Sequence, residues 1–270
     1  MRSPIKYFGG KVRMMNEIRS HFPKDVNDLV FIEGFGGSAS AILSKEIHGV
    51  EIYNDLDENV YSLFKVISDE TLIHELKAKL DLTPYSRKLR AEFINDLKCE
   101  QTLIERAYKF LYVNRSSFNG NGGFTSDLNI RRGMSKAVSD YLSIIEYLPQ
   151  IHQRFSRVIV ENLDIMDLLN KYCSDNIFYY LDPPYVHSVR KSKSKTRYNC
   201  EMSDEDHKNM IELVMSHKAK FLISGYDNEL YDKLEDGGWH KHSFKSPHSD
   251  SIETLWWNYE LDWYTIQSDW

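Results

Sequence analysis

The feature that most constrains the fold is an apolar run, residues 177–181 (IFYYL), followed at once by Asp182-Pro183-Pro184-Tyr185. The run is short, rich in aromatic residues and does not alternate with polar ones, which is typical of a strand buried on both faces of a parallel sheet. Neither proline can donate a backbone hydrogen bond, and each restricts its own φ, so the strand has to end there. The sequence therefore predicts an α/β fold with this segment at the carboxyl edge of a sheet.

Ligands bind at that edge in open α/β sheets, and the four residues offer suitable groups. Asp182 brings a carboxylate and Pro183 a backbone carbonyl, and both can accept hydrogen bonds from an amino group. Tyr185 brings a ring that can stack on a flat heterocycle. The combination favours a site for a planar base with an exocyclic amino group. The alternative is an ordinary strand-ending turn in which Asp182 is a cap.

Composition excludes several classes of protein. The chain has 270 residues, of which 41% are apolar and 27% charged, as expected for one large α/β domain or one domain with an insertion. No apolar run approaches the roughly 20 residues of a membrane span, and residues 1–6 lack the apolar core of a signal peptide. Cys99, Cys173 and Cys200 are scattered, without metal-ligand spacing. We therefore expect a cytoplasmic protein with no metal, no disulfide and no membrane association.

The charge is unevenly distributed along the chain, although the net charge is −6. Residues 106–136 contain six basic side chains and one acid, and residues 190–197 contain five basic side chains in eight positions. A charge-segregated protein can hold DNA in a basic cleft while the rest of its surface is acidic. The alternative for either run taken alone is a solvated surface segment.

A strand, a glycine-rich turn and a helix are predicted over residues 28–33, 34–37 and 38–47. This order is typical of the first unit of a nucleotide-binding α/β fold, in which the helix N-terminus points at the ligand. The glycine spacing fits neither the dinucleotide fingerprint nor a P-loop. A second strand over residues 50–54 ends at Asp55, where such folds place the acid that binds ribose hydroxyls. The alternative for Asp55 is a cap of the helix that begins near Glu58, a role for which Asp57 competes.

The sheet pattern is interrupted once. Apolar residues at helical spacing dominate residues 58–155, so we predict a mostly parallel sheet built from residues 1–57 and 156–270, with an inserted, mostly helical domain. Ser203 and Asp206 have the spacing of a capping box at the start of a helix over 203–217. The last two strands are expected to close the sheet as a pair, and the later strands are predicted over residues 157–161, 177–181, 220–224, 239–244 and 252–259.

The inserted domain contains a third glycine cluster, within residues 114–124 (NRSSFNGNGGF). Amides, an arginine and aromatic rings in one loop are suited to contact base edges and phosphates, and Arg131-Arg132 adds cations nearby. The alternative is plain turn chemistry, since Asn-Gly is a common hairpin turn.

Together these motifs resemble the Dam-like family of DNA adenine-N6 methyltransferases, which use S-adenosylmethionine (AdoMet). The resemblance covers nearly the whole chain. It rests on residues 6–11 (KYFGGK), 33–40 (EGFGGSAS), the acid Asp55, the pattern N-R-x-x-F-N-G over 114–120, and the D-P-P-Y motif at 182–185. Two departures are Gly34, where the family usually has proline, and Ala39, where many members have glycine.

The resemblance implies a Rossmann-like AdoMet methyltransferase fold, with residues 1–57 and 156–270 as the catalytic domain and 58–155 as the target-recognition domain. The implied catalytic residues are Asp182, Pro183, Pro184 and Tyr185. The residues implied to bind AdoMet are Tyr7, Gly9, Gly10, Lys11, Glu33, Phe35, Gly36, Gly37, Ser38, Ala39, Ser40, Asp55, Asp164 and Asp182. Those implied to bind DNA are Lys11, Arg115, Asn119, Gly120, Asn121, Arg131, Arg132, Arg190, Lys191, Lys193, Lys195 and Arg197.

The implied reaction is transfer of a methyl group from AdoMet to N6 of an adenine flipped out of duplex DNA, with S-adenosylhomocysteine as the product and no metal. Double-stranded DNA is the implied partner, and a cognate restriction endonuclease is left open. The alternatives are a methyltransferase of the same fold acting on cytosine N4, RNA adenine or a protein glutamine, and a binding module that lost catalysis. Asp182 argues against the glutamine enzymes, which prefer Asn, and against the cytosine enzymes, which more often carry Ser.

The basic run over residues 190–197 generates a first prediction. Replacing its five basic residues with glutamine should weaken DNA binding and flatten the dependence of affinity on salt, because each lost phosphate contact lowers the slope by about 0.9. Fluorescence anisotropy with a DNA duplex at a series of salt concentrations measures that slope. An unchanged slope would show that the run is only a solvated surface segment.

Overall fold

The computed structural model describes residues 1–7, 10–186, 200–246 and 252–261. Nine strands are present in this part of the chain: β1 Val30–Glu33, β2 Glu51–Asn54, β3 Ile130–Arg131, β4 Met134–Ser135, β5 Val158–Glu161, β6 Ile177–Leu181, β7 Lys220–Gly225, β8 His240–Lys245 and β9 Ile252–Trp257. The helices are α1 Met15–Ser20, α2 Ser40–Ser44, α3 Glu58–Ser68, α4 Glu70–Asp81, α5 Arg87–Asp96, α6 Leu103–Ser116, α7 Lys136–Phe155, α8 Ile165–Lys171, α9 Asp204–Ser216 and α10 Asp232–Asp236.

Seven strands form one sheet in the order β5-β2-β1-β6-β7-β9-β8. The strand β1 pairs in parallel with β2 and β6, and β6 pairs in parallel with β7. The closing strand, β9, lies between β7 and β8 and runs antiparallel to both, and β8 forms the edge of the sheet on that side. The predicted α/β fold, a mostly parallel sheet with an antiparallel closing strand, is confirmed.

The central strand β6 is buried at all five positions, which explains why its sequence does not alternate. One face packs Tyr179 against Phe221, with the rings stacked at a centroid distance of 5.0 Å. The other face packs Phe178 against Phe31 and Phe22. Burying both faces places the carboxyl end of β6, and with it Asp182, in the middle of the sheet edge.

The chain divides into two compact units. The helical unit comprises Met1–Gly10, Gly37–Ala39 and Asp57–Val160, and the sheet unit comprises Lys11–Gly36, Ser40–Leu56 and Glu161–Trp270. Residues 1–10 belong to the helical unit, where both backbone groups of Lys6 bond the side-chain amide of Asn114, each at 2.8 Å. The assignment of a catalytic and a target-recognition role to two domains stays a prediction.

The core of the helical unit is formed by α3, α4, α6 and α7. Phe64 and Phe155 are fully buried there, with their ring centroids 4.7 Å apart. The cap of α3 is Asp57, whose carboxylate accepts a hydrogen bond from the backbone N–H of Asn59 at 2.9 Å. Asp55 is therefore not the cap of this helix. No helix in the described residues is long and apolar enough to cross a membrane.

The helix after the glycine turn is shorter than its sequence predicts, because α2 begins at Ser40 rather than near residue 38 and ends at Ser44. Gly37 and Ala39 have φ values of +47° and +55°. Left-handed backbone is incompatible with an α-helix, so the helix cannot begin before Ser40. The capping box of Ser203 and Asp206 is present at the start of α9, as predicted.

The glycine turn generates a second prediction. A methyl group added at Gly36 would lie 2.2 Å from the ring of Tyr53, which is fully buried and has no room to move. Replacing Gly36 with alanine should therefore lower the free energy of unfolding by about 2 kcal/mol, as overpacking does in other cores. Urea unfolding followed by circular dichroism measures the change.

The matched control is Gly123→Ala, because a methyl group there meets no atom within 4 Å. Its free energy of unfolding should change by less than about 0.5 kcal/mol. Equal stability of the two variants would contradict the steric role assigned to Gly36.

Candidate active site

The acceptor carboxylate at the end of β6 is held from two sides. The Oδ1 atom of Asp182 accepts a hydrogen bond from the Ser224 hydroxyl at 2.9 Å and lies 2.7 Å from the ammonium of Lys11. The Ser224 hydroxyl lies 2.9 Å from the hydroxyl of Tyr180. Since Ser224 donates to Asp182, Tyr180 donates to Ser224. Within the described residues, both of these interactions of Asp182 fall on Oδ1.

Lys11 lies in a short 3-10 helix, Lys11–Arg13, and its side chain is only 2% exposed. Besides Asp182, its ammonium contacts the Oε1 atom of Glu253 at 3.2 Å and the hydroxyl of Tyr185 at 2.9 Å. The ammonium thus donates a hydrogen bond to Tyr185 and forms ion pairs with Asp182 and Glu253. Burial lowers the pKa of Lys11, but the two carboxylates outweigh burial and raise that pKa well above its ordinary value. Lys11 is therefore a permanent cation inside the sheet unit.

Glu253 is the residue of this cluster that the sequence reasoning missed. It lies on β9 with its side chain 2% exposed, and burial raises its pKa to about 7, with Lys11 opposing and Asp182 adding to the shift. Its Oε2 atom accepts a hydrogen bond from the Tyr185 hydroxyl at 3.4 Å. The signal in the sequence was a single acid in the otherwise uncharged closing strand, residues 252–257 (IETLWW).

The ring of Tyr185 stacks on a second tyrosine. Tyr226, which follows β7, lies with its ring centroid 4.0 Å from that of Tyr185, and the two planes differ by 9°. Tyr226 thus covers one face of Tyr185, and the ammonium of Lys11 lies 4.9 Å from the centroid of the same ring. Pro183 is buried and Pro184 half-buried, so the predicted catalytic residues lie together at one rigid strand end.

The turn after β1 is stabilised by Glu33 and Asn54. The Glu33 carboxylate accepts hydrogen bonds from the backbone N–H groups of Ala41 and Ile42, at 3.0 and 2.9 Å, and so caps α2 across the glycine turn. The Asn54 side chain donates to the carbonyls of Gly34 and Leu163, both at 3.0 Å. These bonds bring the turn after β1 and the loop after β5 to the end of β2.

Asp55 and Asp164, two of the four acids implied to bind AdoMet, have different surroundings. Asp55 follows β2 directly and is 7% exposed, with its backbone carbonyl accepting a hydrogen bond from the Asn162 amide at 2.7 Å. Asp164 is exposed and caps α8, its carboxylate accepting from the backbone N–H of Met166 at 2.9 Å. Phe35, Gly36 and Ser40 belong with Asp55 and Asp164 to the sheet unit.

Lys11, Glu33 and Asp182 also belong to the sheet unit. Five further residues implied to bind AdoMet belong to the helical unit: Tyr7, Gly10, Gly37, Ser38 and Ala39. The backbone N–H of Gly10 donates to the carbonyl of Tyr7 at 3.2 Å. A methyl group on Gly37 would lie 3.0 Å from the Tyr7 ring, so the glycine turn packs closely on this residue. Gly9 lies outside the described residues.

The loop implied to bind DNA is partly buried. Arg115 lies at the end of α6 and is 6% exposed, so its guanidinium is inside the helical unit. Burial lowers the pKa of Arg115 to about 10, with Arg2 adding to the shift. Asn119 and Asn121 are exposed, and Asn119 has a φ of +52°. Gly120 cannot carry a side chain, because a methyl group there would lie 2.1 Å from the Lys6 carbonyl.

The two further arginines lie on an exposed hairpin that the sequence analysis did not predict, formed by β3 and β4. Arg132 and Gly133 form its turn, with φ values of +55° and +75°. Arg132 makes a bidentate ion pair with Glu146, with both contacts at 3.0 Å, and Arg131 pairs with Asp140. The remaining predicted cations, Arg190, Lys191, Lys193, Lys195 and Arg197, lie outside the described residues.

Two groups of side chains in the described part of the chain lie close enough together to hold a metal ion. In the exposed group, Asp227 and Glu235 also pair with Lys241. In the other group, His242 pairs with Glu17 at 3.4 Å. The groups are Asp227, Asp232 and Glu235, and Glu17, His21 and His242. Neither includes Asp182 or Glu253, and the prediction that no metal takes part stays a prediction.

Comparison with known proteins gives a family and several relatives. The sequence model of the D12 class N6 adenine-specific DNA methyltransferases matches residues 7–248. The modification methylase StsI of Streptococcus sanguinis is 21% identical over 299 residues, covering 98% of this chain and 44% of that protein. The DNA adenine methylase of Escherichia coli K12 is 26% identical over 236 residues, covering 85% of this chain and 82% of the relative.

A DNA adenine methylase of Haemophilus influenzae is 25% identical over 246 residues, covering 86% of this chain and 82% of the relative. The chain thus spans less than half of StsI and about four fifths of the two adenine methylases.

The buried carboxyl of Glu253 generates a third prediction. Its pKa is about 7 in the folded protein and near 4.5 ordinarily, so the folded state binds the proton more tightly. The stability that this proton contributes is present below pH 4.5 and is lost as the pH rises to about 7. Glutamine does not titrate, so Glu253→Gln does not lose this stability. The free energy of unfolding of the variant, relative to that of wild type, should therefore rise by about 2 to 3 kcal/mol from pH 5 to pH 8.

Urea unfolding of wild type and Glu253→Gln at a series of pH values measures this difference. A difference in the free energy of unfolding that is the same at pH 5 and pH 8 would contradict the raised pKa.

Proposed function

The chain belongs to the D12 class of N6 adenine-specific DNA methyltransferases, and on that premise we propose that it transfers a methyl group from AdoMet to N6 of an adenine flipped out of duplex DNA. The observation that carries the proposal is the Asp182 carboxylate at the carboxyl end of β6, with Oδ1 engaged by Lys11 and Ser224. The family resemblance and the fold predicted from the sequence are confirmed by the family match and by the sheet.

The acceptor groups explain how a weak nucleophile reacts. The lone pair of adenine N6 is delocalised into the ring, which makes the amine a poor nucleophile. When Asp182 Oδ2 and the Pro183 carbonyl accept the two N–H groups, the nitrogen becomes pyramidal and its lone pair points away from the ring. Catalysis then consists mostly of positioning and of electrostatic stabilisation by groups that are already in place.

The sheet unit contains a suitable turn for AdoMet, which supplies an electrophilic methyl group on a sulfonium. Gly36 brings its backbone close to Tyr53 where no side chain fits, and Glu33 holds the N-terminus of α2 through two backbone N–H groups. Asp55 follows β2 at the position suited to the ribose hydroxyls. We therefore propose that Phe35, Gly36, Ser40 and Asp55 hold AdoMet, while Glu33 keeps the turn in shape. The roles of Tyr7, Gly9, Gly10, Gly37, Ser38, Ala39 and Asp164 stay predictions.

The stacked ring pair supports base flipping. Extruding a base from a duplex costs a few kcal/mol. Stacking of the base on one face of Tyr185 offsets about 1–3 kcal/mol of that cost. Because the other face is backed by Tyr226, the ring is fixed before the base arrives.

Duplex DNA is the proposed partner, and the exposed Asn119, Asn121, Arg131 and Arg132 are the described residues best placed to contact it. Both arginines are paired with acids of the same unit, so contact with phosphate requires an exchange of partners. Because the relative StsI is a modification methylase, we propose a cognate restriction endonuclease as a further partner.

The fourth prediction tests the acceptor. Replacing Asp182 with alanine should lower the rate of methyl transfer by about 100-fold or more, the size of effect expected for the loss of one group that stabilises the transition state. AdoMet affinity, measured by calorimetry, should change much less, because the proposed AdoMet site is the turn after β1. The assay follows radiolabelled methyl groups into unmethylated genomic DNA, with RNA and protein as parallel substrates.

The matched control is Asp236→Ala, an exposed acid at the end of α10, which should leave the rate unchanged. Near-normal methylation by Asp182→Ala would overturn the role of the carboxylate. Methylation of RNA or protein instead of DNA would overturn the proposed substrate.

A further inference from the structure

The cluster around Lys11 contains one more carboxylate than the proposed reaction uses. Asp182 and Glu253 both contact the ammonium of Lys11, at 2.7 and 3.2 Å, and Glu253 is the more deeply buried of the two acids. A buried charge is costly unless it is compensated. One carboxylate is enough to compensate one ammonium, so the second one needs a separate explanation.

The proposed reaction gives that explanation. The lone pair of N6 forms a bond to the methyl carbon, the bond from that carbon to sulfur breaks, and its electron pair stays on sulfur. Positive charge thus moves from the sulfonium to N6, which then releases one of its protons to Asp182 Oδ2 and onward to water. A lysine held 2.7 Å from Asp182 opposes this movement, because its positive charge lies close to the nitrogen on which positive charge develops.

We propose that Glu253 is a positioning residue that cancels the charge of Lys11, so that Asp182 meets the reacting amine as part of a cluster with net negative charge. Lys11 is needed to hold Asp182 and Tyr185 in place, and Glu253 removes the electrostatic penalty of using a cation for this purpose. This inference rests on the proposed function of the same site.

Several described residues surround Glu253. Lys11 contacts it from the 3-10 helix, and Asp182, Tyr185 and Tyr180 approach from β6 and the turn that follows it. The neighbouring strand β7 contributes Ser224, and on β8 the residue paired with Glu253 is Phe244. Among the described neighbours named here, Lys11 is the cation and Asp182 the other carboxylate.

The ionisation of Glu253 then becomes part of catalysis. Its pKa is raised to about 7, so at lower pH it is protonated and no longer cancels Lys11. The rate of methyl transfer should therefore be low below that pH and rise to a plateau above it. A residue that only fills space would produce no such dependence.

The test compares wild type with Glu253→Gln in two measurements. Single-turnover transfer to unmethylated genomic DNA is followed from pH 5.5 to pH 8.5. In wild type the rate should rise by about tenfold with a single inflection, as expected for an essential carboxylate that must be ionised. In Glu253→Gln the rate should stay at the low-pH level of wild type, without that inflection. Carbon NMR of carboxyl-labelled glutamate, without AdoMet or DNA, should show a signal titrating near pH 7 that the variant lacks.

The matched control is Glu51→Gln. Glu51 is a buried glutamate paired with a buried lysine, Lys45, at 3.1 Å, and it lies on β2 rather than at the cluster. This variant can lose stability but should keep the wild-type pH profile. Glu253→Asp, which keeps the charge, should keep the inflection with a reduced rate, and it serves as the folded comparison if Glu253→Gln does not fold.

Two outcomes would overturn the inference while leaving the proposed function intact. These are a Glu253→Gln variant with the wild-type rate and profile, and one with a lower rate but an unchanged inflection. Failure of the wild-type protein to methylate DNA adenine would instead overturn the proposed function itself.

Discussion

The buried ammonium of Lys11 is the interaction on which the rest of the site depends. It joins the turn after β6, through Asp182 and Tyr185, to the closing strand β9, through Glu253. A buried lysine is costly unless its charge is compensated, and here Lys11 forms ion pairs with two carboxylates and donates a hydrogen bond to the Tyr185 hydroxyl. The result is an arrangement in which one oxygen of Asp182 is held in place by Lys11 and Ser224.

A second network prepares the edge of the sheet on the other side of β6. Glu33 caps α2 across the glycine turn, and Asn54 bridges the turn after β1 and the loop after β5. Side chains supply the hydrogen bonds here, because backbone groups beyond the end of a strand have no partner in the neighbouring strand. These bonds place Asp55 beside the glycine turn, and the AdoMet site is proposed there.

In the helical unit, burial decides which side chains of the predicted DNA-binding loop can contact a ligand. Arg115, in a motif implied to bind DNA, lies inside the unit, whereas the exposed Asn119 and Asn121 are available to a ligand. Asn114 pairs with the backbone of Lys6 and connects the N-terminal residues to the recognition loop. Arg131 and Arg132 are exposed but paired with acids of α7, so their positive charge is largely compensated within the unit.

Local patterns in the sequence determined the strands, the glycine turn, the capping box at Ser203, the interruption of the sheet and the strand end at Asp182. Each of these depends on residues close together in the chain, through periodicity, proline or glycine. The sequence did not predict that α2 begins as late as Ser40, because alanine by itself does not favour the left-handed backbone that Ala39 adopts in the fold. The hairpin of β3 and β4 was missed because its strands have only two residues each.

The D-P-P-Y motif predicted an acceptor and a stacking ring, and only the tertiary structure decided what surrounds them. Lys11, Glu253 and the pair Ser224 and Tyr226 come from three separate parts of the chain. Parallel pairing of β6 with β7 and antiparallel pairing of β7 with β9 bring the last two parts together at the end of β6. No spacing in the sequence encodes that convergence. The charge balance of the cluster, and with it the raised pKa of Glu253, is therefore a property of the fold.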